Sequence, residues 1–325
     1  MDHALQLAAR GLGNVWPNPA VGCVLVRDGR VVGQGWTQPG GRPHAERMAL
    51  DQAGAAAQGA TAYVTLEPCA HYGRTPPCAQ SLIDAKIACV VSALTDPDSR
   101  VAGRGHAMLR AAGIDVIEGV RHDQARELQQ GFLLRITQNR PFVTLKLATS
   151  FDGRIATASG ESKWITGPQA RAHVHKIRAQ HDAVMVGGGT ARADHPRLNV
   201  RGVQTPRQPV RIIVSSQPLP DLPEESPDYG PLWQVSGQPS DFMTELAARG
   251  LTRIFCEGGG QLAASLLAAG LVDQLIGYTA GVILGGDGRP SVGPLNLPHL
   301  ADAPRFRLVQ ADMIGPDLFH HWRRD

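Results

Sequence analysis

The residue pattern predicts an α/β protein in two domains, on three grounds. Apolar strand-like runs alternate with helical stretches along the whole chain. At 325 residues the chain exceeds one ordinary domain and suffices for two, each with its own core. Near the middle, the helical stretch "DQARELQQGFLLRITQ" runs into "NRP", a breaker before a β-rich run. The boundary is therefore placed at Asn139, giving domains 1–139 and 140–325.

In the first domain, "VGCVLVRDGRVVGQGW" (21–36) reads as a hairpin turning at Asp28-Gly29, a dipeptide that accepts the positive φ of a tight turn. "HAERMALDQAG" is helical and stops at Gly54; "TAYVTL" (61–66) is a strand, "PPCAQSLIDAK" a helix and "IACVVSAL" (87–94) a strand. "GHAMLRAAG" and "IDVIEGV" repeat the beat, so helices are expected to cover a mixed sheet. In the second domain "FVTLKLATS", "AVMVGGGT", "VRIIVSS", "RIFCEGGG" and "LIGYTAGVIL" read as strands, with "DFMTELAARG" and "QLAASLLAAG" as helices. The segment from Gln217 to Gly230, crowded with prolines and acids, reads as a loop without an evident purpose.

With 42% hydrophobic and 19% charged residues the chain is globular and not disordered. A net charge of +3, scattered along the sequence, asks for no nucleic-acid or membrane partner and accommodates an anionic small substrate. The opening "MDHALQLAARGLG" is too short and polar for a signal peptide, and no apolar run approaches a membrane span, so a cytoplasmic protein is expected. Five cysteines without disulfide-like spacing fit a reducing compartment. Cys23, Cys89 and Cys256 lie in apolar runs and are expected to be small buried hydrophobes.

Cys69 and Cys78 are different. His44 opens one helix after Pro43, Cys69 follows a strand end, and Cys78 opens a second helix, so the three can converge. One imidazole and two thiolates form a zinc donor set with a fourth position left for water. Glu46, two residues past His44, can approach such a water without ligating and act as the general acid and base. His-x-Glu followed by Pro-Cys and a second Cys is the zinc-deaminase signature, with C-x8-C here in place of C-x-x-C. The insert carries Gly73 and two prolines and reads as a rigid loop over the pocket. A structural zinc site would need a fourth ligand, for which His71 is the nearby candidate.

The stretches "PNPAVGCVLVRDGRVVGQGW", "PHAERMAL", "AYVTLEPCAHYGRTPPC" and "DPDSRVAGRG" resemble the deaminase domain of the bifunctional RibD family of riboflavin biosynthesis. "KLATSFDGRIATASGESKWITGPQA", "VMVGGGTARADHPRLNVR" and "FCEGGGQLAASLLAAGLVDQL" resemble its reductase domain, so the likeness spans nearly the whole chain. The resemblance implies a cytidine-deaminase-like three-layer α/β/α domain followed by a dihydrofolate-reductase-like α/β domain. It implies zinc-dependent deamination of 2,5-diamino-6-(5-phosphoribosylamino)pyrimidin-4(3H)-one. NADPH-dependent reduction of the ribosyl group of 5-amino-6-(5-phosphoribosylamino)uracil to a ribityl chain would follow. It also implies a homo-oligomer, a dimer or higher.

Carried over by position, Asn18, His71 and Arg74 hold the deaminase substrate; from the residues alone Asn18 could be a turn residue, although its rigid mounting between two prolines favours function, and for Arg74 a solvated loop charge is nearly as good a reading. In the reductase, NADPH lies against Ala148, Trp164, Thr190, Asp194, Ser216 and the turn Gly259, Gly260, Gln261, Leu262, Ala263, Ala264 and Ser265. The substrate touches Ser162, Arg178, Leu198, Arg201 and Glu257, and Lys146 polarises the sugar carbonyl. Physical chemistry agrees in part. "EGGGQLAASLL" is a glycine-rich strand-to-helix turn that offers backbone N–H groups to a phosphate, without the spacing of a Rossmann motif, and Gly187 to Gly189 read as a second turn before Thr190. Guanidinium forks such as Arg178 and Arg201 match phosphate oxygens, although surface arginines commonly make salt bridges. Where the family commonly has two adjacent aspartates before a proline, this chain has Asp194-His195-Pro196, which leaves His195 without an assigned role. Two rivals make different demands: a nucleic-acid-editing deaminase would show a basic or aromatic track, and a zinc-stapled binding module would carry four protein ligands.

Overall fold

A computed structural model describes residues 1–72, 76–98 and 101–324, and these fall into two compact units, Met1–Asn139 and Arg140–Asp325. In the first unit α1 (Asp2–Ala9) precedes the hairpin β1 (Gly22–Arg27) and β2 (Arg30–Trp36), which turns where Asp28 and Gly29 both have positive φ. Then come α2 (Ala45–Ala53), β3 (Thr61–Val64), α3 (Cys78–Asp84), β4 (Cys89–Ser92), α4 (Arg104–Ala111), β5 (Asp115–Ile117) and α5 (His122–Gln138). The sheet order is β2-β1-β3-β4-β5, antiparallel at its first two pairings and parallel at the last two.

Alternation along β1 builds the layers. Cys23 and Leu25 join the core containing Ala45 and Ala49 of α2, while Val24 packs with Ala4 and Leu7 of α1, so both faces are covered. The α2 side is unusually close. A Cβ on Gly33 would lie 2.2 Å from the carbonyl oxygen of Ala49, and one on Gly35 2.4 Å from Cβ of Met48, so the helix rests almost directly on β2.

The second unit contains β6 (Phe142–Ser150), β7 (Arg154–Ala156), α6 (Pro168–Arg178), β8 (Ala183–Gly187), α7 (Gly188–Asp194), β9 (Val210–Val214) and β10 (Leu232–Val235). It continues with α8 (Pro239–Ala248), β11 (Arg253–Gly258), α9 (Gly260–Ala268), β12 (Gln274–Ala280), β13 (Arg289–Pro290), β14 (Arg307–Ile314) and β15 (Asp317–Arg323). The main sheet runs β10-β9-β8-β11-β6-β12-β15-β14, parallel from β10 to β12 and antiparallel thereafter. Its central strands are buried apolar runs, as a parallel sheet covered on both faces requires. Ligand sites in such sheets form beyond the carboxyl ends of the strands, which is where Gly187, Ser215 and Gly258 lie.

Several expectations are corrected. The opening segment, read only against a signal peptide, is helix α1. α6 and the β14–β15 hairpin went unread. Gly187 to Gly189 are not a free turn: β8 ends at Gly187 and α7 starts at Gly188, so Thr190 is helical. Cys23 and Cys256 are buried as expected, but Cys89, at the start of β4, is only partly so. The Gln217–Gly230 loop acquires a purpose: Leu219 and Leu222 pack on the cluster of Val184, Val186 and Ile213, and Tyr229 lies under the buried Arg211 guanidinium at 5.5 Å.

Candidate functional site

His44 is the N-cap of α2, Cys78 opens α3, and Cys69 lies in the segment after β3, where the amides of Cys78 and Ala79 donate to its Sγ and carbonyl oxygen. The three donor atoms lie within 4.8 Å of one another, with His44 Nδ1 3.3 Å from Cys78 Sγ and 3.8 Å from Cys69 Sγ. Zinc bond lengths in a tetrahedron give nitrogen-to-sulfur edges of about 3.6 Å, so spacing and chemistry both fit zinc. Among the described residues the cluster has three members; His71 is not one of them, which keeps the fourth position for a non-protein ligand. The hydrogen bond from Cys78 and that with His44 pull the Cys69 thiol down to about 4, and the bond with Cys69 pushes the His44 imidazole up.

Glu46 lies in the first turn of α2 and is 4% exposed. Burial pushes its carboxyl up, partly offset by His44, which suits a group that must both take and give a proton. A cavity of about 580 Å³ opens beside it, lined by Asn18, His44, Glu46, Cys69 and His71. Asn18 packs over Gly41, where a Cβ would sit 1.7 Å from its Nδ2, and the buried Nδ1 of His71 has no partner among the described residues. Arg74 lies outside the described residues. Sequence reasoning missed Thr37, Arg42, Asp96, Asp98 and Arg135, which line the same cavity.

In the second unit, a cavity of about 520 Å³ is lined by Lys146, Ala148, Ser162, Trp164, Arg178, Thr190, Asp194, Leu198, Arg201, Glu257 and Gly259. A second, of about 780 Å³, shares Ser162, Thr190, Asp194 and Gly259 with it and adds Ser216, Gly260, Gln261, Leu262 and Ser265. Ala263 and Ala264 face the core and line neither. Gly258 and Gly259 have positive φ, and a Cβ on Gly258 or Gly189 would meet nothing within 4 Å, so bare backbone faces open space. That is a cradle for phosphate and fits a dinucleotide cofactor. Thr190 Oγ1 donates to the Gly258 carbonyl at 3.4 Å and ties the α7 and α9 turns together.

Arg178 Nε donates to Glu257 Oε1 at 2.5 Å and its Nη1 to the Asn199 carbonyl at 2.7 Å. Burial alone would raise the Glu257 carboxyl, but Arg178 and Lys146 outweigh it and hold it down. Lys146 is pushed down by burial, Glu257 opposing. Burial, with Arg178 and Arg201 nearby, lowers the His175 imidazole to about 4, so Arg201 rests against a neutral ring. Trp164 is 69% exposed, with the Arg171 guanidinium 4.6 Å over its ring, so it is no core anchor. His195 caps α7 in the left-handed region and its Nδ1 lies 3.4 Å from the Asp221 carbonyl, an attachment to the Gln217–Gly230 loop.

A hydrolytic metal centre in one unit and a dinucleotide trough in the other define a two-step enzyme. Residues 1–94 match the family model of the cytidine and deoxycytidylate deaminase zinc-binding region, which makes the first step a zinc-dependent deamination. Residues 141–320 match the RibD C-terminal domain, and the chain belongs to the RibD family, the deaminase-reductases of riboflavin biosynthesis. It is 46% identical to riboflavin biosynthesis protein RibD of Haemophilus influenzae, over 98% of this chain and 95% of that one. Its identity to the Escherichia coli protein is 42%, over 99% and 97%. The structure of Acinetobacter baumannii RibD superposes with a TM-score of 0.88 at 40% identity, covering 99% of this chain and 97% of that one. A Thermotoga maritima diaminohydroxyphosphoribosylaminopyrimidine deaminase/5-amino-6-(5-phosphoribosylamino)uracil reductase superposes at 0.87 and 34% identity, covering 100% and 97%.

Proposed function

We propose that the chain removes an amine from 2,5-diamino-6-(5-phosphoribosylamino)pyrimidin-4(3H)-one in its first unit and reduces the ribosyl group of the product to ribityl in its second. The observation that carries this is the cluster of His44, Cys69 and Cys78 with Glu46 beside it, in one chain with a glycine-cradled trough.

Zinc held by the three ligands supplies Lewis acidity that makes water a usable nucleophile near neutral pH. Glu46 takes one proton from the attacking water and delivers it to the ring nitrogen beside C2; it then carries the second proton from the new C2 hydroxyl to the amine, so that the C2–N bond breaks, the C2 carbonyl forms and ammonia leaves. Its burial excludes competing solvent and pushes its carboxyl up, His44 opposing. Asn18, His71 and Arg74 are assigned to the pyrimidine and its phosphoribosyl group.

In the second unit NADPH supplies the hydride. Ala148, Trp164, Thr190, Asp194, Ser216 and the Gly259–Ser265 turn are assigned to the cofactor; of these, Ala263 and Ala264 support the turn from beneath. Lys146, beside the Arg178–Glu257 pair, is assigned to polarise the carbonyl of the ring-opened sugar, and Ser162 and Leu198, which line the same cavity, to contact the substrate. Arg178 is already committed to Glu257 and Asn199, so Arg201 is the better phosphate partner.

No helix among the described residues is long and apolar enough to cross a membrane. The reading places the enzyme in the cytoplasm, where its thiolates stay reduced, as a homo-oligomer acting on small molecules and not on nucleic acid. The test follows ammonia and NADPH absorbance together in zinc-loaded protein, with Glu46→Ala alongside. Ammonia release followed by NADPH loss is expected. The variant should stop both, retain zinc, and regain NADPH loss when deaminated product is supplied. Normal ammonia release by Glu46→Ala would overturn the assignment.

A further inference from the structure

The residue that makes the reductase prefer a 2′-phosphorylated cofactor is not among the family positions carried over, and the larger trough contains a candidate. Its two ends differ. The end shared with the smaller cavity carries Thr190, Asp194 and Gly259, next to the reacting groups Lys146 and Glu257. The far end is formed after β9 and β10 by Val214, Ser215, Ser216, Gln217, Ser236 and Gly237. A dinucleotide whose nicotinamide lies at the shared end and whose diphosphate crosses the glycine cradle therefore puts its adenosine ribose at the far end.

Among the described residues that end carries no carboxylate, the group that usually reads a free ribose 2′-hydroxyl. It carries a guanidinium. Arg192 projects from α7 toward Ser215: the place of a Cβ on Gly188 lies 3.2 Å from Arg192 Nη1 and 2.6 Å from Ser215 Oγ. Gly188 leaves the room for this approach. The turn is rigid, because Ser215 Oγ takes the amide of Gln217 at 3.1 Å, and Gln234 Nε2 donates to the carbonyls of Ser215 at 2.8 Å and Gln217 at 2.9 Å. Arg192 makes no ion pair among the described residues, whereas Arg178 and Arg140 in the same unit are paired. The other arginine of the trough, Arg289, lies against Gly160, and the carbonyl of its neighbour Pro290 approaches Gly260 at the start of α9, so Arg289 serves the diphosphate side.

We propose that Arg192, with the Ser215–Gln217 turn, is the 2′-phosphate subsite and sets the preference for NADPH over NADH. The inference rests on the reading that this unit binds NADPH. A guanidinium can give a phosphate two parallel charge-assisted hydrogen bonds, while a 2′-hydroxyl offers it little. Loss of such contacts weakens binding about tenfold to a hundredfold.

The test is calorimetric titration of the full chain with NADPH, NADH, adenosine 2′,5′-bisphosphate and AMP, for wild type, Arg192→Ala, Arg192→Lys and Arg289→Ala. Arg192→Ala should weaken NADPH and the bisphosphate by that factor, leave NADH and AMP within about twofold, and so abolish the preference. Arg192→Lys should restore part of it, and Arg289→Ala should weaken NADPH and NADH alike. If Arg192→Ala keeps the wild-type ratio, or if Arg289→Ala is the variant that loses it, the subsite is misassigned. Wild type that binds neither dinucleotide would overturn the cofactor reading as well, which separates the two failures.

Discussion

Glu67, between β3 and Cys69, is 3% exposed and lies two residues from a metal ligand without belonging to the donor cluster. Its Oε2 accepts the amides of Asp96 at 3.1 Å and Gly103 at 2.9 Å, and its Oε1 those of Gly105 at 2.8 Å and His106 at 3.3 Å. Two of these amides belong to the first turn of α4, where a negative charge is favoured by the helix dipole. The carboxylate thus clips Asp96 to the start of α4, and Asp96, Asp98 and Val101 line the deaminase cavity. In Glu67→Ala four amides lose their acceptor, each at a cost of about 1–3 kcal/mol where buried. Water entering the vacated space recovers part, leaving about 3 kcal/mol of local stability lost, or about two decades in opening equilibrium. Hydrogen–deuterium exchange read on peptides covering 96–106 should accelerate by that factor, while peptides of the second unit stay unchanged. The deaminase KM should rise at constant zinc content, with Glu67→Gln intermediate because its amide nitrogen cannot accept. Unchanged protection across 96–106 in Glu67→Ala would show that the carboxylate is not the clip.

Cys78→Ser should lose zinc, measured by metal analysis after dialysis, and with it ammonia release, while reduction of supplied deaminated product stays within about twofold of wild type because the two centres share no residue. His181 is buried between the Thr144 hydroxyl and the Ile177 carbonyl, and burial, with Arg253 adding, lowers it to about 3. Its folded pKa is below the unfolded value, so the unfolded chain binds the extra proton: the stability is complete above about pH 6.5 and falls as pH drops toward 3. By pH 5 the loss is about 2 kcal/mol, and in urea titrations of the full chain that acid-side decline should shrink in His181→Asn.

The metal centre was legible because each of its parts has a local cause: a proline before a helix start for His44, a strand end for Cys69, a helix start for Cys78. The hairpin at Asp28-Gly29 was legible for the same reason. What escaped was non-local. Glu67 reads as an ordinary acid until the amides of residues 96–106 are seen around it, and Asp96 and Arg135 reach the cavity from segments far from it in sequence. α6, "PQARAHVHKIR", carries three apolar buried residues among many charges and histidines, too faint a stripe to register. β14 is exposed along nearly its whole length, so no inside–outside alternation marked it. In the reductase, the glycine turn announced a phosphate site, whereas Arg192 gains meaning only from Ser215 across the trough.

The close approach of α2 to β2 turns two missing methyl groups into a ruler for the deaminase. His44 and Glu46 ride on that helix, while Cys69 and Cys78 are mounted on other elements, so the distance from imidazole to thiolates is fixed by how deeply α2 seats on the strand. A side chain at Gly33 or Gly35 would jack the helix away and separate the imidazole from the two thiolates, without touching metal, water or substrate. The enzyme's chemical tolerance is in this sense written into a strand that contributes no atom to the reaction.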